Sequence, residues 1–335
     1  MVMMLMKTTA IANSNIALVK YWGKRNSDLI LPYNSSVSMT LNNLNTKTTV
    51  EFNKTLSEYE VTINRKVVKG EELARVANHL ELLQKSSPHK IFAKVMSESN
   101  FPKKAGLASS ASGFAALTLT GTKALGQDFT VKDLSILARR GSGSASRSIL
   151  GGFVEWTKGS MSDGSDSYAL QIEKEAHWPE LSMIVTIISS EEKKVSSRAG
   201  MSQTVKNSPF YSAWLDTIES DVEKMKQAIS EKDFIQLGKI AELNAIKMHA
   251  TMQTTTPPII YWEAGSLSIM KEVLKLREEG IECYFTMDAG PQVKILCQQK
   301  DIETIKSRVT EINLVKDIII CHPGKEARLT EDHLF

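Results

Sequence analysis

An aspartate stands at a break between two apolar runs near the C-terminal end of the sequence. In TMDAGPQVKIL, Thr286–Leu296, Asp288 closes the first run, and an Ala-Gly-Pro sequence interrupts the backbone before the second. A carboxylate at a strand end is often only a turn former, but it is also a group that enzymes use as an acid or base. The remaining polar motifs must decide between these two interpretations.

A glycine- and serine-rich segment, KKAGLASSASGFAAL at Lys103–Leu117, runs into an apolar helix. Free backbone N–H groups and the dipole at a helix N-terminus favour anions, and glycine allows a phosphate to approach closely. The serines add hydroxyls that suit phosphate oxygens or a metal ion. The segment lacks the GK[ST] ending of a Walker A loop. On spacing alone, phosphate binding and an ordinary N-cap ahead of a core helix are equal alternatives.

A second segment of small residues, Arg139–Gly152, contains three arginines. Its G-x-G pattern is not a dinucleotide fingerprint, because Ser146 replaces the third glycine and the segment follows a helix. Arg147 could form paired hydrogen bonds to a carboxylate or a phosphate. A solvated basic turn explains Arg139 and Arg140, but explains the alternation of Ser, Gly and Arg less well.

Two further segments place cations beside polar or aromatic residues. NSNIALVKYWGKRN, Asn13–Asn26, is an apolar strand that ends in a basic and aromatic stretch, and EEKKVSSRAGMS, Glu191–Ser202, joins two serines and an arginine to two lysines. The ordinary alternative for the first segment is a strand end with snorkelling lysines, and for the second it is a solvated loop. Together the four segments predict a polyanionic substrate and more than one phosphate-bearing molecule.

The composition indicates a globular protein with no bias towards nucleic acid or membranes. The chain has 335 residues, of which 42% are hydrophobic and 24% charged, with a net charge of +3. No apolar stretch approaches the roughly 20 residues that span a bilayer. The three cysteines, Cys283, Cys297 and Cys321, form no CxxC pair, so we expect buried free thiols in a cytoplasmic protein.

The elements that must position these motifs fall into two halves. The first half is predicted to be β-rich, with a Gly/Ser loop at 105–113, a helix from Phe114, a helix at 131–140 and a second loop at 141–148. The second half, after about Glu180, alternates buried strands with amphipathic helices, and its last strand is predicted at 317–321. We therefore expect an α+β protein of two lobes that share a cleft.

The motifs, in this order, closely resemble those of the diphosphomevalonate decarboxylases, a family of the GHMP kinase superfamily. The resemblance extends from about Thr8 to about Cys321. It rests on Asn15-Ile16-Ala17, Lys20-Tyr21-Trp22-Gly23-Lys24-Arg25, Asn34-Ser35-Ser36, Ala105-Gly106-Leu107-Ala108-Ser109-Ser110-Ala111, Arg140-Gly141-Ser142-Gly143-Ser144-Ala145, Ser197-Arg198 and Met287-Asp288-Ala289-Gly290-Pro291.

The resemblance implies a two-lobed GHMP kinase fold. An N-terminal, ATP-binding lobe similar to ribosomal protein S5 domain 2 would span residues 1–183, and a ferredoxin-like lobe residues 184–335, with the active site between them. The implied reaction is the ATP-dependent decarboxylation of (R)-5-diphosphomevalonate to isopentenyl diphosphate, with ADP, phosphate and carbon dioxide, in the mevalonate pathway. ATP is the co-substrate, Mg2+ the metal, and a cytoplasmic homodimer the expected assembly, without nucleic acid or membrane partners.

The resemblance also assigns roles to residues. Asp288 would be the base, Arg147 would hold the departing carboxylate, and Lys20 would lie near the reacting centre. Substrate binding falls to Asn15, Tyr21, Trp22, Lys24, Ser142, Ser144, Ser197 and Arg198. ATP binding falls to Gly106, Leu107, Ala108, Ser109, Ser110 and Ser112, with Ser109 and Ser110 also on the metal. Lys103 and Lys104 depart from the family pattern, which has small or neutral residues there.

Three alternatives stay open at this point. A relative that only phosphorylates mevalonate would lack the Asp288 and Arg147 pair, which this chain has. A 5-phosphomevalonate decarboxylase is closer, although Ser197 and Arg198 favour the longer diphosphate. A non-catalytic binding relative is disfavoured, because Lys20 is intact as well.

Overall fold

The computed structural model describes residues 6–85, 90–101, 109–189 and 194–335. In these ranges the strands are β1 (Lys7–Val19), β2 (Lys24–Asn26), β3 (Leu31–Pro32), β4 (Ser36–Phe52), β5 (Glu60–Ile63), β6 (Lys66–Val67), β7 (Ala93–Ser99), β8 (Phe153–Trp156), β9 (Ala169–Glu173), β10 (Leu181–Ile187), β11 (Cys283–Met287), β12 (Val293–Gln298), β13 (Asp317–Cys321) and β14 (Arg328–Thr330). The helices are α1 (Gly70–Leu83), α2 (Ser109–Ala124), α3 (Val131–Gly141), α4 (Ser197–Asn207), α5 (Tyr211–Glu231), α6 (Phe234–Gln253), α7 (Ala264–Glu278) and α8 (Ile302–Thr310).

The first sheet is built on the long antiparallel pair of β1 and β4, in the order β14-β1-β4-β7-β5-β6. A branch of β8 and β9 pairs with the first part of β4. The apolar residues of this sheet pack beneath α1, α2 and α3, with Val50, Leu80, Phe114 and Ala138 in one cluster. Because alternate residues of a strand share a face, β4 presents its other face to the second half of the chain.

The second sheet is antiparallel, in the order β11-β12-β10-β13. Numbered along the chain this is 2-3-1-4, the order of a ferredoxin-like sheet. Both faces are covered. Ile184 and Phe285 pack in the cluster of α7 and α8, whereas Met183 and Tyr284 pack in the cluster of α5 and α6. The expected α+β class and the two lobes are confirmed.

Helices α5 and α6 lie between the two sheets. Their apolar residues, among them Trp214, Ile218 and Met248, share one buried cluster with Ile16 and Leu18 of β1. A continuous apolar core therefore joins the two lobes. None of the helices in the described residues is long and apolar enough to cross a membrane.

Three predicted boundaries differ from the structure. The loop expected at 105–113 is already helical from Ser109, because α2 begins there, and its first part lies outside the described residues. The loop expected at 141–148 is mostly a 3-10 helix, Gly143–Ile149. Strand β13 is not the last, because β14 returns to pair with β1. The lobe boundary at 183/184 stays a prediction.

Candidate active site

The predicted aspartate turn forms at the edge of the second sheet. Asp288 follows β11 directly, and its carbonyl accepts a hydrogen bond from Gly290 N at 2.8 Å. Ser266 of α7 donates to the carbonyl of Pro291 at 2.7 Å. The turn is therefore fixed from two sides, and Asp288 is held where β11 meets β12.

Two buried lysines contact the Asp288 carboxylate. Lys20 Nζ lies 2.8 Å from Oδ1, and Lys294 Nζ lies 3.3 Å from Oδ2. Lys20 comes from the end of β1 and Lys294 from β12, so the two sheets meet here. Burial by itself would raise the pKa of Asp288, but the two ammonium groups outweigh it and hold the pKa well below its usual range. The carboxylate is ionised near neutral pH.

The backbone of Lys20 is held on both sides. Its N–H donates to Asn244 Oδ1 at 2.8 Å, and its carbonyl accepts from Asn34 Nδ2 at 2.8 Å. Its ammonium also donates to the carbonyl of Ala17 at 2.7 Å. Burial lowers the pKa of Lys20 to about 8, against the opposing effect of Asp288. Its pKa stays above 7, so Lys20 is mostly an ammonium near neutral pH.

Arg147 is buried next to this group in the 3-10 helix after α3. Its Nε donates to Ser38 Oγ at 2.9 Å and to Asn15 Oδ1 at 3.2 Å, and its Nη1 donates to Ser36 Oγ at 2.6 Å. Burial lowers its pKa to about 10, while Asp288 acts in the opposite direction. The guanidinium stays charged. We call Asp288, Lys20, Lys294 and Arg147 the carboxylate cluster.

A cavity of about 980 Å³ lies between α1, α4, the end of α3 and the β2–β3 turn. We call it the basic cavity, because Lys24, Arg75, Arg140 and Arg198 line it. Burial lowers the pKa of Lys24 to about 8, and the charges of Arg198 and Arg75 add to the effect. Crowded cations of this kind indicate a site for a polyanion.

Tyr21 connects the two regions. Its ring packs edge-on against Trp156, with centroids 4.7 Å apart, and burial raises the pKa of its hydroxyl against the charges of Arg147 and Arg198. The buried hydroxyl finds no hydrogen-bond partner in the described part of the chain. It is therefore a neutral group available to a ligand that extends from the carboxylate cluster towards the basic cavity.

The start of α2 lies close to the second small-residue segment. Ser110 Oγ is 3.1 Å from Ser142 Oγ, which is 3.4 Å from Ser144 Oγ. A smaller cavity of about 200 Å³, lined by Ser109 and Ser110 among others, adjoins this point. Arg75 and Phe114 line both cavities. The structure thus brings the two predicted serine motifs together.

Two of the predicted residues, Ser112 and Trp22, are buried away from both cavities. Ser112 is fully buried, and its hydroxyl shares a 2.7 Å hydrogen bond with Thr46, because α2 turns it towards the sheet. Trp22 packs in the apolar core between the lobes and is only 3% exposed.

Ser197 is the first residue of α4 and lies beside Arg198 in the chain. Gly106, Leu107, Ala108, Lys103 and Lys104 lie outside the described residues.

Sequence reasoning missed Lys294 and Arg75. The signal for Lys294 was present, since a lysine in the apolar run QVKILC must face either solvent or a buried partner. Arg75 lies on a helix face that also carries acidic residues, and nothing in its neighbours distinguishes it from a solvated arginine. No group of three or more His, Cys, Asp or Glu in the described ranges could hold a metal ion.

Comparison with known proteins identifies the family. Residues 12–169 match the model described as the diphosphomevalonate decarboxylase-like N-terminal domain, and residues 183–328 match the mevalonate 5-diphosphate decarboxylase C-terminal domain. The chain belongs to the diphosphomevalonate decarboxylase family. The diphosphomevalonate decarboxylase of Bos taurus is 38% identical over 307 residues, covering 86% of this chain and 76% of the relative, and that of Homo sapiens is 37% identical over 305 residues with the same coverage.

Solved structures of the family confirm the fold. The mevalonate diphosphate decarboxylase of Staphylococcus aureus has a TM-score of 0.92 at 42% identity, and the enzyme of Enterococcus faecalis 0.91 at 43% identity. Each alignment covers 98% of this chain and 99% of the relative. A further structure, described as MDDEF in complex with MVAPP, AMPPCP and magnesium, aligns with a TM-score of 0.92 at 44% identity. The expected GHMP kinase fold is therefore confirmed.

Proposed function

We propose that the chain catalyses the ATP-dependent decarboxylation of (R)-5-diphosphomevalonate to isopentenyl diphosphate, the reaction of its family in the mevalonate pathway. One observation carries the assignment of residues. An ionised aspartate, a buried lysine with a pKa of about 8 and a buried arginine form one cluster, and Tyr21 links this cluster to a cavity lined by cations. The complex of a relative with MVAPP, AMPPCP and magnesium supports the same substrates and metal.

In the first half-reaction, the tertiary C3 hydroxyl of the substrate attacks the γ-phosphate of ATP. Asp288 accepts a hydrogen bond from this hydroxyl and orients it. A carboxylate with a depressed pKa is a weak base, but phosphoryl transfer through a loose transition state requires little proton removal before the bond forms. Lys20, 2.8 Å from Asp288, adds positive charge where the transferred phosphoryl group would lie.

In the second half-reaction, phosphate leaves C3 and the substrate loses carbon dioxide. Positive charge develops at C3, and the ionised Asp288 stabilises it electrostatically. Arg147 holds the substrate carboxylate through its guanidinium. The hydrogen bonds that Arg147 donates to Asn15, Ser36 and Ser38 fix the orientation of its guanidinium. The group therefore requires little reorganisation during the reaction.

The diphosphate of the substrate extends from Tyr21 into the basic cavity, where Lys24, Ser197 and Arg198 would bind it. Burial, with the charges of Arg198 and Arg75 added to it, lowers the pKa of Lys24, so a polyanion would stabilise the charged form of this lysine. Asn15, Ser142 and Ser144 would position the rest of the substrate. The hydrogen bonds of Asn15 to Ser144 O and Ser148 Oγ tie these groups into one unit.

ATP would place its phosphates at the start of α2, near Ser109 and Ser110, with Gly106, Leu107 and Ala108 completing the family's loop. The serine hydroxyls there fit Mg2+, which prefers oxygen ligands and is held largely by substrate phosphates and water. Bound Mg2+ supplies charge neutralisation between the phosphates. The smaller cavity next to Ser110 has room for the base of the nucleotide.

The roles are tested by Asp288→Asn in a coupled assay of ADP release with diphosphomevalonate and Mg-ATP. We expect kcat to fall by about 10³-fold or more, the range for a positioned base. Lys20 and Lys294 lose their counter-ion in this variant, so its melting temperature must be measured alongside. Near-normal turnover by a folded variant would refute the role of Asp288.

We also propose that the protein is a cytoplasmic homodimer. The three cysteines are buried free thiols, which fits a reducing compartment, and the dimer follows from family analogy. Sedimentation equilibrium at micromolar concentration should give a mass close to twice 37.2 kDa. A monomer at that concentration would contradict the assembly without affecting the reaction.

A further inference from the structure

Lys294 has no role in the chemistry described so far, yet it is fully buried in the site. It lies on β12 opposite Thr286, three residues after Pro291 of the turn that holds Asp288. Its ammonium reaches Asp288 Oδ2 at 3.3 Å and the carbonyl of Gln292 at 3.3 Å. An ammonium in such a place costs several kcal/mol unless it is paired, so its charge has to be offset by Asp288.

The two half-reactions make conflicting demands on Asp288. The first requires an acceptor for the proton of the C3 hydroxyl, whereas the second requires a negative charge beside the carbon that becomes positive. A carboxylate that kept the proton would be neutral when its charge is needed. A second ammonium on the carboxylate removes this conflict, because it makes the protonated form too unstable to persist.

We propose that Lys294 is a positioning residue that fixes the Asp288 carboxylate and keeps it ionised through both half-reactions. The proposal rests on the proposed function, since it concerns the same reaction. Asp288 transfers the proton of the C3 hydroxyl to the phosphate that leaves C3 and does not retain it. The products are then ADP, protonated inorganic phosphate, carbon dioxide and the alkene, so charge and atoms balance.

Within the described ranges, four groups face Asp288 from the surrounding elements. Lys20 and Lys294 contact the two carboxylate oxygens, Arg147 is the third cation, and His249 of α6 is the fourth group. Burial lowers the pKa of His249 to about 3, so this imidazole is neutral near pH 7 and adds no charge. Removal of Lys294 therefore leaves one direct ammonium contact on the carboxylate instead of two.

The first test is the pH dependence of kcat in Lys294→Met, Lys294→Arg and the control Lys300→Met. Lys300 is exposed just beyond the end of β12, so it reports the same substitution without the buried contact. Loss of a cation beside Asp288 should raise the pKa of its carboxyl. The acidic limb of the pH profile of kcat should therefore shift to higher pH by about one unit or more. We expect kcat to fall on the order of tenfold with little change in KM, and Lys294→Arg to recover part of it.

The second test separates the half-reactions in a single turnover of enzyme in excess over substrate. In the wild type, ADP and carbon dioxide should form together. In Lys294→Met, ADP should precede carbon dioxide, because Asp288 is less well ionised when C3 loses phosphate. If Lys294→Met does not fold, Lys294→Gln replaces it in both tests.

An unchanged acid limb together with kcat within twofold of the wild type would overturn the proposal for Lys294. So would a loss of kcat that Lys294→Arg does not relieve and that leaves the acid limb in place, since this indicates a structural role. Failure of the wild type to release carbon dioxide from diphosphomevalonate would instead refute the proposed function. The wild-type trace therefore distinguishes the two failures.

Discussion

The carboxylate cluster and the basic cavity hold similar side chains but satisfy their charges differently. In the cluster, Lys20 and Lys294 are paired with Asp288 inside the protein, and Arg147 is held by two serines and an asparagine. In the cavity, Lys24 and Arg198 repel each other. We therefore propose that the cluster is organised before substrate arrives, whereas a polyanion completes the cavity. This difference suits chemistry on one side and binding on the other.

The largest expected difference is between two variants in which a buried arginine is replaced by glutamine. Arg147→Gln should lower kcat by about 10²–10³-fold, because it removes a preorganised donor from the reacting end. Arg139 is equally buried but donates to backbone carbonyls of Leu29 and Gly164, so Arg139→Gln should lower the melting temperature and leave kcat of the folded fraction close to wild type. Equal losses of kcat in both folded variants would contradict the distinction.

A mutation in the basic cavity should act on binding instead. Arg198→Ala should raise KM for diphosphomevalonate by about tenfold or more, the loss of one charge-assisted contact, with kcat nearly unchanged. The wild-type KM should rise with salt, and the slope should be smaller in the variant, because an exposed cation is screened. Steady-state kinetics at 50 and 300 mM KCl decide this. A fall in kcat at constant KM would place Arg198 in the cluster instead.

The lowered pKa of Lys24 predicts a pH effect on binding. The ammonium, with a pKa of about 8, is the form that attracts the diphosphate, so a bound polyanion raises this pKa. Below pH 8 the lysine is already charged, and above pH 8 binding must take up a proton. KM should therefore rise as pH increases from 8 to 9.5 in the wild type and be higher but flatter in Lys24→Met. A wild-type KM that stays constant over this range would contradict the assignment.

The smallest effects should separate two serines of α2. Ser110→Ala should raise KM for ATP by about two- to tenfold through loss of a hydrogen bond near the phosphates. Ser112→Ala should instead lower the free energy of unfolding by about 1 kcal/mol through loss of its bond to Thr46, without a change in KM. Denaturant titration and ATP kinetics of both variants provide the comparison. A raised KM for ATP in Ser112→Ala would show that Ser112 takes part in ATP binding.

The sequence predicted the elements with clear periodicity. The helix predicted at 131–140 forms as α3, Val131–Gly141, because Leu134, Leu137 and Ala138 repeat at helical spacing and pack in one core cluster. The Asp288 turn was predicted because an Ala-Gly-Pro break between two apolar runs leaves few alternatives. Strand β14 was missed because its three residues are mostly exposed and carry no apolar run.

Contacts between distant segments were beyond what local patterns reveal. Lys294 in an apolar strand looks like a solvent-facing position until the fold places Asp288 against it. Ser112 looks like part of a flexible Gly/Ser loop, but a helix that begins by Ser109 turns it onto β4. Trp22 lies between two basic residues in sequence, yet its side chain enters the core between the lobes. In each case tertiary packing, rather than local composition, decides where the side chain points.

The most direct test of the account is a comparison of two substrates on the wild-type protein. The basic cavity should bind a diphosphate with at least two charge-assisted contacts that a monophosphate cannot make. We expect kcat/KM for 5-diphosphomevalonate to exceed that for 5-phosphomevalonate by about 100-fold or more, measured by carbon dioxide release with saturating Mg-ATP. Equal or better kcat/KM with the monophosphate would contradict the account.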